Sequence, residues 1–165
     1  MGCKHTAFIG LGSNLDNPSK QVSNALQALD RMPNIRVVAS SSLYRSAPVG
    51  FRDQPDFINA VAHMETTLSP IALLETLLGL ERECGRTREF RNAPRTLDLD
   101  VLLYDGIRHQ EHNLIIPHPE MHLRAFVLCP LLEIAPDCII PGVGTVAEAL
   151  TRCRQQQLER IVNVV

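Results

Sequence analysis

The sequence predicts an α+β sandwich. Three observations predict it: short segments of strand-like polarity, two amphipathic segments at helical spacing between them, and the order β-α-β-β-α-β with extra elements beyond. Residues 6–11 read as a short apolar strand, punctuated by Gly10, Gly12, Ser13 and Asn14. Pro18 then sits where a helix starts, and Val22, Ala25, Leu26, Leu29 and Met32 follow at helical spacing until Pro33-Asn34 stops it. Residues 35–44, rich in β-branched and small side chains, read as one strand. Residues 45–55 hold two prolines and a glycine among polar residues and read as a loop. Residues 57–68 alternate, with Ile58, Ala60, Ala62 and Met64 on one face. Ser69-Pro70 opens a second helix carrying Leu73, Leu74, Leu77 and Leu78, and Gly85 ends it. Residues 96–104 read as a strand, Asp105-Gly106 as a hairpin-type turn, and residues 110–116 as a returning strand. Pro117 and Pro119 force a bend. Residues 123–134 are apolar enough for a buried helix, and residues 146–154 form a short surface one. The order is that of a ferredoxin-like sandwich.

A chain of 165 residues with 45% hydrophobic and 21% charged residues can bury a sizeable core in one domain spanning residues 1–165. No apolar run reaches the ~20 residues of a membrane span, and the N-terminus lacks a signal-peptide pattern. A cytoplasmic protein is expected. The net charge of −2 argues against bulk binding to nucleic acid or to an anionic membrane. Cys3, Cys84, Cys129, Cys138 and Cys153 are odd in number and show no Cys-x-x-Cys spacing, which argues against a disulfide framework or a structural zinc site.

Pro94-Arg95-Thr96-Leu97-Asp98-Leu99-Asp100-Val101 is the most informative segment. On a strand, Leu97, Leu99 and Val101 face one way while Thr96, Asp98 and Asp100 face the other, the two acids roughly 6.6 Å apart at Cα. Carboxylates that close repel unless a cation sits between them. Mg²⁺ commonly uses one or two carboxylates with substrate phosphates and water, so the pair reads as a metal site. The alternative is a solvated strand face whose acids pair with Arg95 or other arginines. Just upstream, Arg86, Arg88, Arg91 and Arg95 against Glu89 leave a local charge of +3. A cationic loop beside a two-Asp strand suits phosphoryl transfer, where metal and arginines share the phosphate charge. A metal-dependent phosphohydrolase or nucleotidyltransferase would use the same pair. A non-enzymatic ligand-sensing module would not need it.

Gly10-Leu11-Gly12-Ser13-Asn14 lacks the third glycine of a dinucleotide fingerprint and reads as a strand-to-helix turn. His118, between two prolines and ahead of Arg124, suits a hydrogen bond to a polyanion better than zinc ligation with His122. His63 reads as structural. Phe57 and Asn59 share one strand face, an aromatic ring beside an amide, which fits either a flat polar heterocycle or a core Phe with a loop-anchoring Asn.

Taken together, Gly12-Ser13-Asn14-Leu15, Ser42-Leu43-Tyr44-Arg45-Ser46-Ala47-Pro48, Gln54-Pro55-Asp56-Phe57-Ile58-Asn59-Ala60, Gly85-Arg86-x-Arg88, the Pro94–Asp100 stretch, Pro117-His118-Pro119 and Arg124-x-Phe126 resemble the 6-hydroxymethyl-7,8-dihydropterin pyrophosphokinases of folate biosynthesis. The resemblance runs from Ala7 to Pro136. It implies a ferredoxin-like αβα sandwich with a mainly antiparallel sheet, helices on both faces and long mobile loops. It implies transfer of pyrophosphate from ATP to the pterin hydroxymethyl group, releasing AMP, by a monomer without nucleic-acid or membrane partners. Asp98 and Asp100 match ligands of two Mg²⁺ ions. Arg86 and Arg88 match catalytic loop arginines. Arg88, Arg95, Val101, His118 and Arg124 match ATP contacts. Ser46, Ala47, Val49, Phe57, Asn59 and Phe126 match the pterin pocket, the ring lying between Phe57 and Phe126. Departures are Phe57 where Tyr is common, Ala47 for Pro, Asn92-Ala93 for a Trp-Gly pair, an arginine loop one residue shorter, Asn113 for an Arg and Pro119 for an aromatic residue.

Overall fold

A computed structural model of the chain describes residues 2–48, 53–84 and 97–161. In chain order its elements begin with β1 (His5–Ser13), α1 (Pro18–Asp30), β2 (Ile35–Ser40), β3 (Tyr44–Ser46), β4 (Phe57–Thr66) and α2 (Pro70–Glu83). There follow β5 (Asp98–Tyr104), β6 (His109–Glu111), β7 (Leu114–Ile116), a 3₁₀ turn (Met121–Leu123) and α3 (Ala125–Ile134). The last are β8 (Ile139–Ile140), β9 (Gly144–Thr145), α4 (Val146–Thr151) and β10 (Leu158–Arg160). The main sheet runs β10-β3-β4-β1-β5, antiparallel throughout, with β2 also on β4. Counting β2 and β3 as one interrupted strand, this is the split β-α-β arrangement expected from the sequence.

Alternation along the strands assigns two cores. Ala7, Ile9 and Leu11, Ile58, Ala60, Ala62 and Met64, and Leu97, Leu99 and Val101 face α1 and α2. Val61, Leu102 and Phe8 face α3 and α4 on the opposite side. Helix α2 shows how local sequence sets its span. The Ser69 hydroxyl accepts the Ala72 amide at 3.2 Å, Pro70 supplies a preset first turn, and Leu73, Leu77 and Leu80 line the buried stripe. Each such leucine contributes about 1.5–3 kcal/mol by leaving water.

Four expectations are corrected. The single strand over residues 35–44 is interrupted at residues 41–43, and it resumes as β3 inside the segment expected to be a loop. The reason is side-chain substitution for ladder partners. The Ser41 hydroxyl accepts the Val61 amide at 2.9 Å, and the Glu133 carboxylate on α3 takes both the amide and the hydroxyl of Ser42, each at 3.0 Å to Oε2. Tyr44 adds its phenol to Glu133 at 2.5 Å. Second, Asp105-Gly106 does turn, both residues at positive φ, but it does not pair β5 with β6. The two-residue hairpin lies further on, at His112-Asn113 (φ 54° and 64°), and joins β6 to β7. Third, the short surface helix expected over residues 146–154 ends at Thr151; Ala147, Glu148 and Thr151 face solvent, and Val146 and Ala149, with Cys153 beyond the helix, anchor it in the second core. Fourth, Gly10 and Gly12 are not a turn after the strand but lie within β1.

Two outward strand amides are met by helix carboxylates. Asp30 at the end of α1 accepts the Val37 amide of β2 at 2.9 Å, and buried Glu81 of α2 accepts the Leu99 amide of β5 at 2.7 Å.

Candidate active site

The α3 face of the sheet carries a cleft, part of it open to solvent, lined by residues of β1, β3, β4, β5 and α3. Its floor is made by what β1 lacks. Gly10 and Gly12 point toward the cleft, so the central strand adds no side chain there. Register sets the neighbours of each glycine. Gly12 lies between Asn59 of β4 and Asp98 of β5, and Gly10 lies between Val61 and Asp100. A Cβ on Gly12 would stand 3.2 Å from Asn59 Oδ1, so a side chain there presses on that amide.

Asp98 and Asp100 both line the cleft, half-buried on the same face of β5, as the alternation required. Leu99 between them points into the opposite core, and its amide is the one Glu81 accepts. The acids thus emerge from a strand held from beneath by α2. Among the described residues no group of three or more His, Cys, Asp or Glu gathers around one point. Two carboxylates of one strand, facing an open cleft, nevertheless fit Mg²⁺, a hard ion that completes its shell with water and phosphate oxygens.

His118 and Arg124 line the same cleft as these acids. The His118 amide donates to Leu102 O at 3.0 Å, which fastens the segment after β7 to β5. His118 Nδ1 accepts the Glu120 amide at 3.1 Å, leaving the proton of the neutral ring on Nε2. Burial, reinforced by the Arg124 charge and partly opposed by Glu120 and Asp98, pushes its pKa below the usual 6.5. The neutral ring is therefore the folded-state form, and acidification charges the unfolded chain first. Stability is expected to fall as pH drops from 6.5 toward the lowered folded value, because the unfolded state then binds the extra proton. Urea midpoints at several pH values should show a shallower slope in His118→Gln; an unchanged slope contradicts this. Arg124 pairs with Glu120 and lies 5.5 Å from the Phe126 ring centroid, a cation–π contact.

The remaining wall is apolar with one amide. Phe57, Ala47, Ser46 and Phe126 line it together with Asn59, which is 6% exposed. The Asn59 amide donates to Ser46 Oγ at 2.7 Å, tying β4 to β3. Just beyond β1, Asn14 donates to Gln54 Oε1 at 2.8 Å and to Pro55 O at 3.1 Å, fastening the segment that leads into β4. Beneath β3, burial opposes ionisation of Glu133, but hydrogen bonds from Tyr44 and Ser42 and the Arg160 charge outweigh it and hold the carboxyl below its usual range. Burial, with the same hydrogen bond, raises the Tyr44 phenol.

The structure thus brings together Ser46, Ala47, Phe57, Asn59, Asp98, Asp100, His118, Arg124 and Phe126. It does not bring the Val101 side chain, which is buried in the opposite core. Val49, Arg86, Arg88, Asn92, Ala93 and Arg95 lie outside the described residues. Asn113 sits in the β6–β7 turn and Pro119 next to His118. Sequence reasoning missed Gly10 and Gly12 as floor residues, although their spacing of two within a strand was the available signal.

Comparison with known proteins shows the family and the fold. The family model described as 7,8-dihydro-6-hydroxymethylpterin-pyrophosphokinase (HPPK) matches residues 8–136. The 2-amino-4-hydroxy-6-hydroxymethyldihydropteridine pyrophosphokinase of Haemophilus influenzae is 45% identical over 156 residues, covering 94% of this chain and 98% of its own. The protein of the same name from Pseudomonas aeruginosa is 45% identical over 154 residues, covering 93% and 95%. Among solved structures, the HPPK-DHPS of Plasmodium falciparum with pteroate superposes with a TM-score of 0.75 at 11% identity, over 92% of this chain. This chain spans 43% of that longer one, and the likeness is one of fold. With a family match over most of its length and relatives at 45% identity, the chain belongs to the 7,8-dihydro-6-hydroxymethylpterin-pyrophosphokinase family and has its ferredoxin-like fold.

Proposed function

We propose that this chain transfers pyrophosphate from ATP to the hydroxymethyl group of 6-hydroxymethyl-7,8-dihydropterin, releasing AMP, in folate biosynthesis. The observation that carries the reading is the cleft itself. Its lining joins a polar set, two carboxylates, a neutral histidine and an arginine, to an apolar set, two phenyl rings with a buried amide, over a glycine floor. The first suits a metal-bound polyphosphate and the second a flat polar ring.

In the transfer, the hydroxymethyl oxygen attacks the β-phosphorus, the bond from that phosphorus to the α,β-bridging oxygen breaks, and AMP departs. The hydroxyl proton is released to solvent. Asp98 and Asp100 would hold Mg²⁺, two ions on this reading. When bound, the metal supplies charge neutralisation along the phosphates. His118 donates from Nε2 to a phosphate oxygen without adding charge, and Arg124 supplies a fixed cation. Phe57 and Phe126 sandwich the pterin, and Asn59 pairs with its polar edge. Arg86, Arg88 and Arg95 are assigned to the phosphates and Val49 to the pterin pocket. Val101 is assigned to the nucleotide, through its backbone. The reading extends to a single domain over residues 1–165 acting as a monomer in the cytoplasm. Among the described residues no helix is long and apolar enough to cross a membrane.

Product analysis with ATP, Mg²⁺ and the pterin tests the reaction. AMP and a pyrophosphorylated pterin in equal amounts support it, whereas ADP, phosphate or free pyrophosphate overturn it. The glycine floor gives a second check. Gly12→Ala places a methyl 3.2 Å from Asn59 Oδ1 and 3.9 Å from Phe57, overpacking the pterin side. Pterin affinity is expected to fall about fivefold or more, with ATP affinity unchanged, as read by calorimetric titration.

A further inference from the structure

Helix α3 starts at a residue that cannot cap it. Arg124 occupies the N-cap position, and its guanidinium carries donors only, so it cannot accept the first amides of the helix. Asn, Asp or Ser would be usual there. The acceptor instead comes from the C-terminal segment. Gln156 Oε1 accepts the Ala125 amide at 2.9 Å, and Gln156 Nε2 donates to Leu123 O at 2.7 Å. One planar amide, donor and acceptor at once, therefore holds the peptide groups on both sides of Arg124.

Where this amide sits matters as much as what it bonds. Gln156 does not line the cleft; it lines an adjoining hollow behind Phe126 and Ala47. Two residues on, the chain becomes β10, with Leu158 opposite Ser46 of β3. Residues 156–160 thus span from the strand carrying Ser46 to the helix start carrying Arg124 and Phe126. An arginine at the N-cap serves the cleft at the expense of the helix end, and the tail supplies the missing cap.

We propose that Gln156 is a positioning residue, fixing Arg124 and Phe126 for substrate while touching none itself. This rests on the functional reading above. The test compares the full-length wild type with Gln156→Met, which keeps length but loses both bonds, and with Gln156→Glu, which keeps the acceptor and loses the donor. Pterin binding is titrated in the presence of Mg²⁺ and a non-hydrolysable ATP analogue, well below each variant's melting temperature. Gln156→Met is expected to bind pterin about tenfold more weakly and Gln156→Glu by an intermediate factor. A purely structural role would lower the melting temperature and leave the affinity of the folded protein unmoved. Pterin binding by Gln156→Met within twofold of wild type overturns the proposal, whatever its melting temperature. The side chain is exposed, so Gln156→Met should fold; should it not, Gln156→Glu is judged by the same criterion. A wild type that makes no pyrophosphorylated pterin overturns the functional reading and this proposal together. An active wild type with unaltered variants overturns this proposal alone.

Discussion

Asp98→Asn and Asp100→Asn are each expected to lower kcat by about a thousandfold or more while leaving the circular dichroism spectrum unchanged. Each substitution keeps the shape of the side chain and removes a charge. β5 is fixed by its ladder to β1, by Leu97, Leu99 and Val101 in the core, and by the Glu81 bond to the Leu99 amide. Removing one of two neighbouring anions also relieves repulsion between them. What is lost is the anchor for the cation that offsets polyphosphate charge, worth several kcal/mol in the transition state. Initial rates of AMP formation at saturating Mg²⁺ provide the measurement. Near-normal rates in both variants would rule out these acids as the metal anchor.

The second large effect concerns the pterin side. Asn59→Ala removes a nearly buried amide and leaves the Ser46 hydroxyl without its 2.7 Å donor. A lost buried polar partner costs about 1–3 kcal/mol, which corresponds to roughly a five- to 150-fold loss of pterin affinity. Nucleotide affinity should stay put, because Asn59 lies across the glycine floor from the carboxylates. Equal weakening of both ligands, or of neither, contradicts the division of the cleft into two walls.

Much of this was legible in the residues because it rests on periodicity. The alternation of Leu97, Leu99 and Val101 against Asp98 and Asp100 placed the acids on the cleft face of β5, and Ile58, Ala60, Ala62 and Met64 likewise placed Phe57 and Asn59 opposite the first core. What was not legible depends on distant partners. The break at residues 41–43 is made by Val61 and by Glu133, 91 residues beyond Ser42. β10 exists because its backbone finds β3, not because Leu158-Glu159-Arg160 has a strand pattern. The His112-Asn113 turn was hidden behind the stronger Asp-Gly signal. Gly10 and Gly12 resembled a turn because glycine usually marks one, whereas here it clears a floor.

The two helix carboxylates that reach strand amides have a consequence for the protein in a crowded solution. An edge strand with unpaired amides is a template for a foreign strand, and an inward-turned charge is one of the ways chains avoid that fate. Asp30 takes an amide of β2 and Glu81 one of β5, so each of these strands has one donor already occupied, while β10 is only three residues long and carries Glu159 and Arg160. The architecture that exposes a cleft to small molecules thereby offers a foreign strand fewer free donors along its sheet.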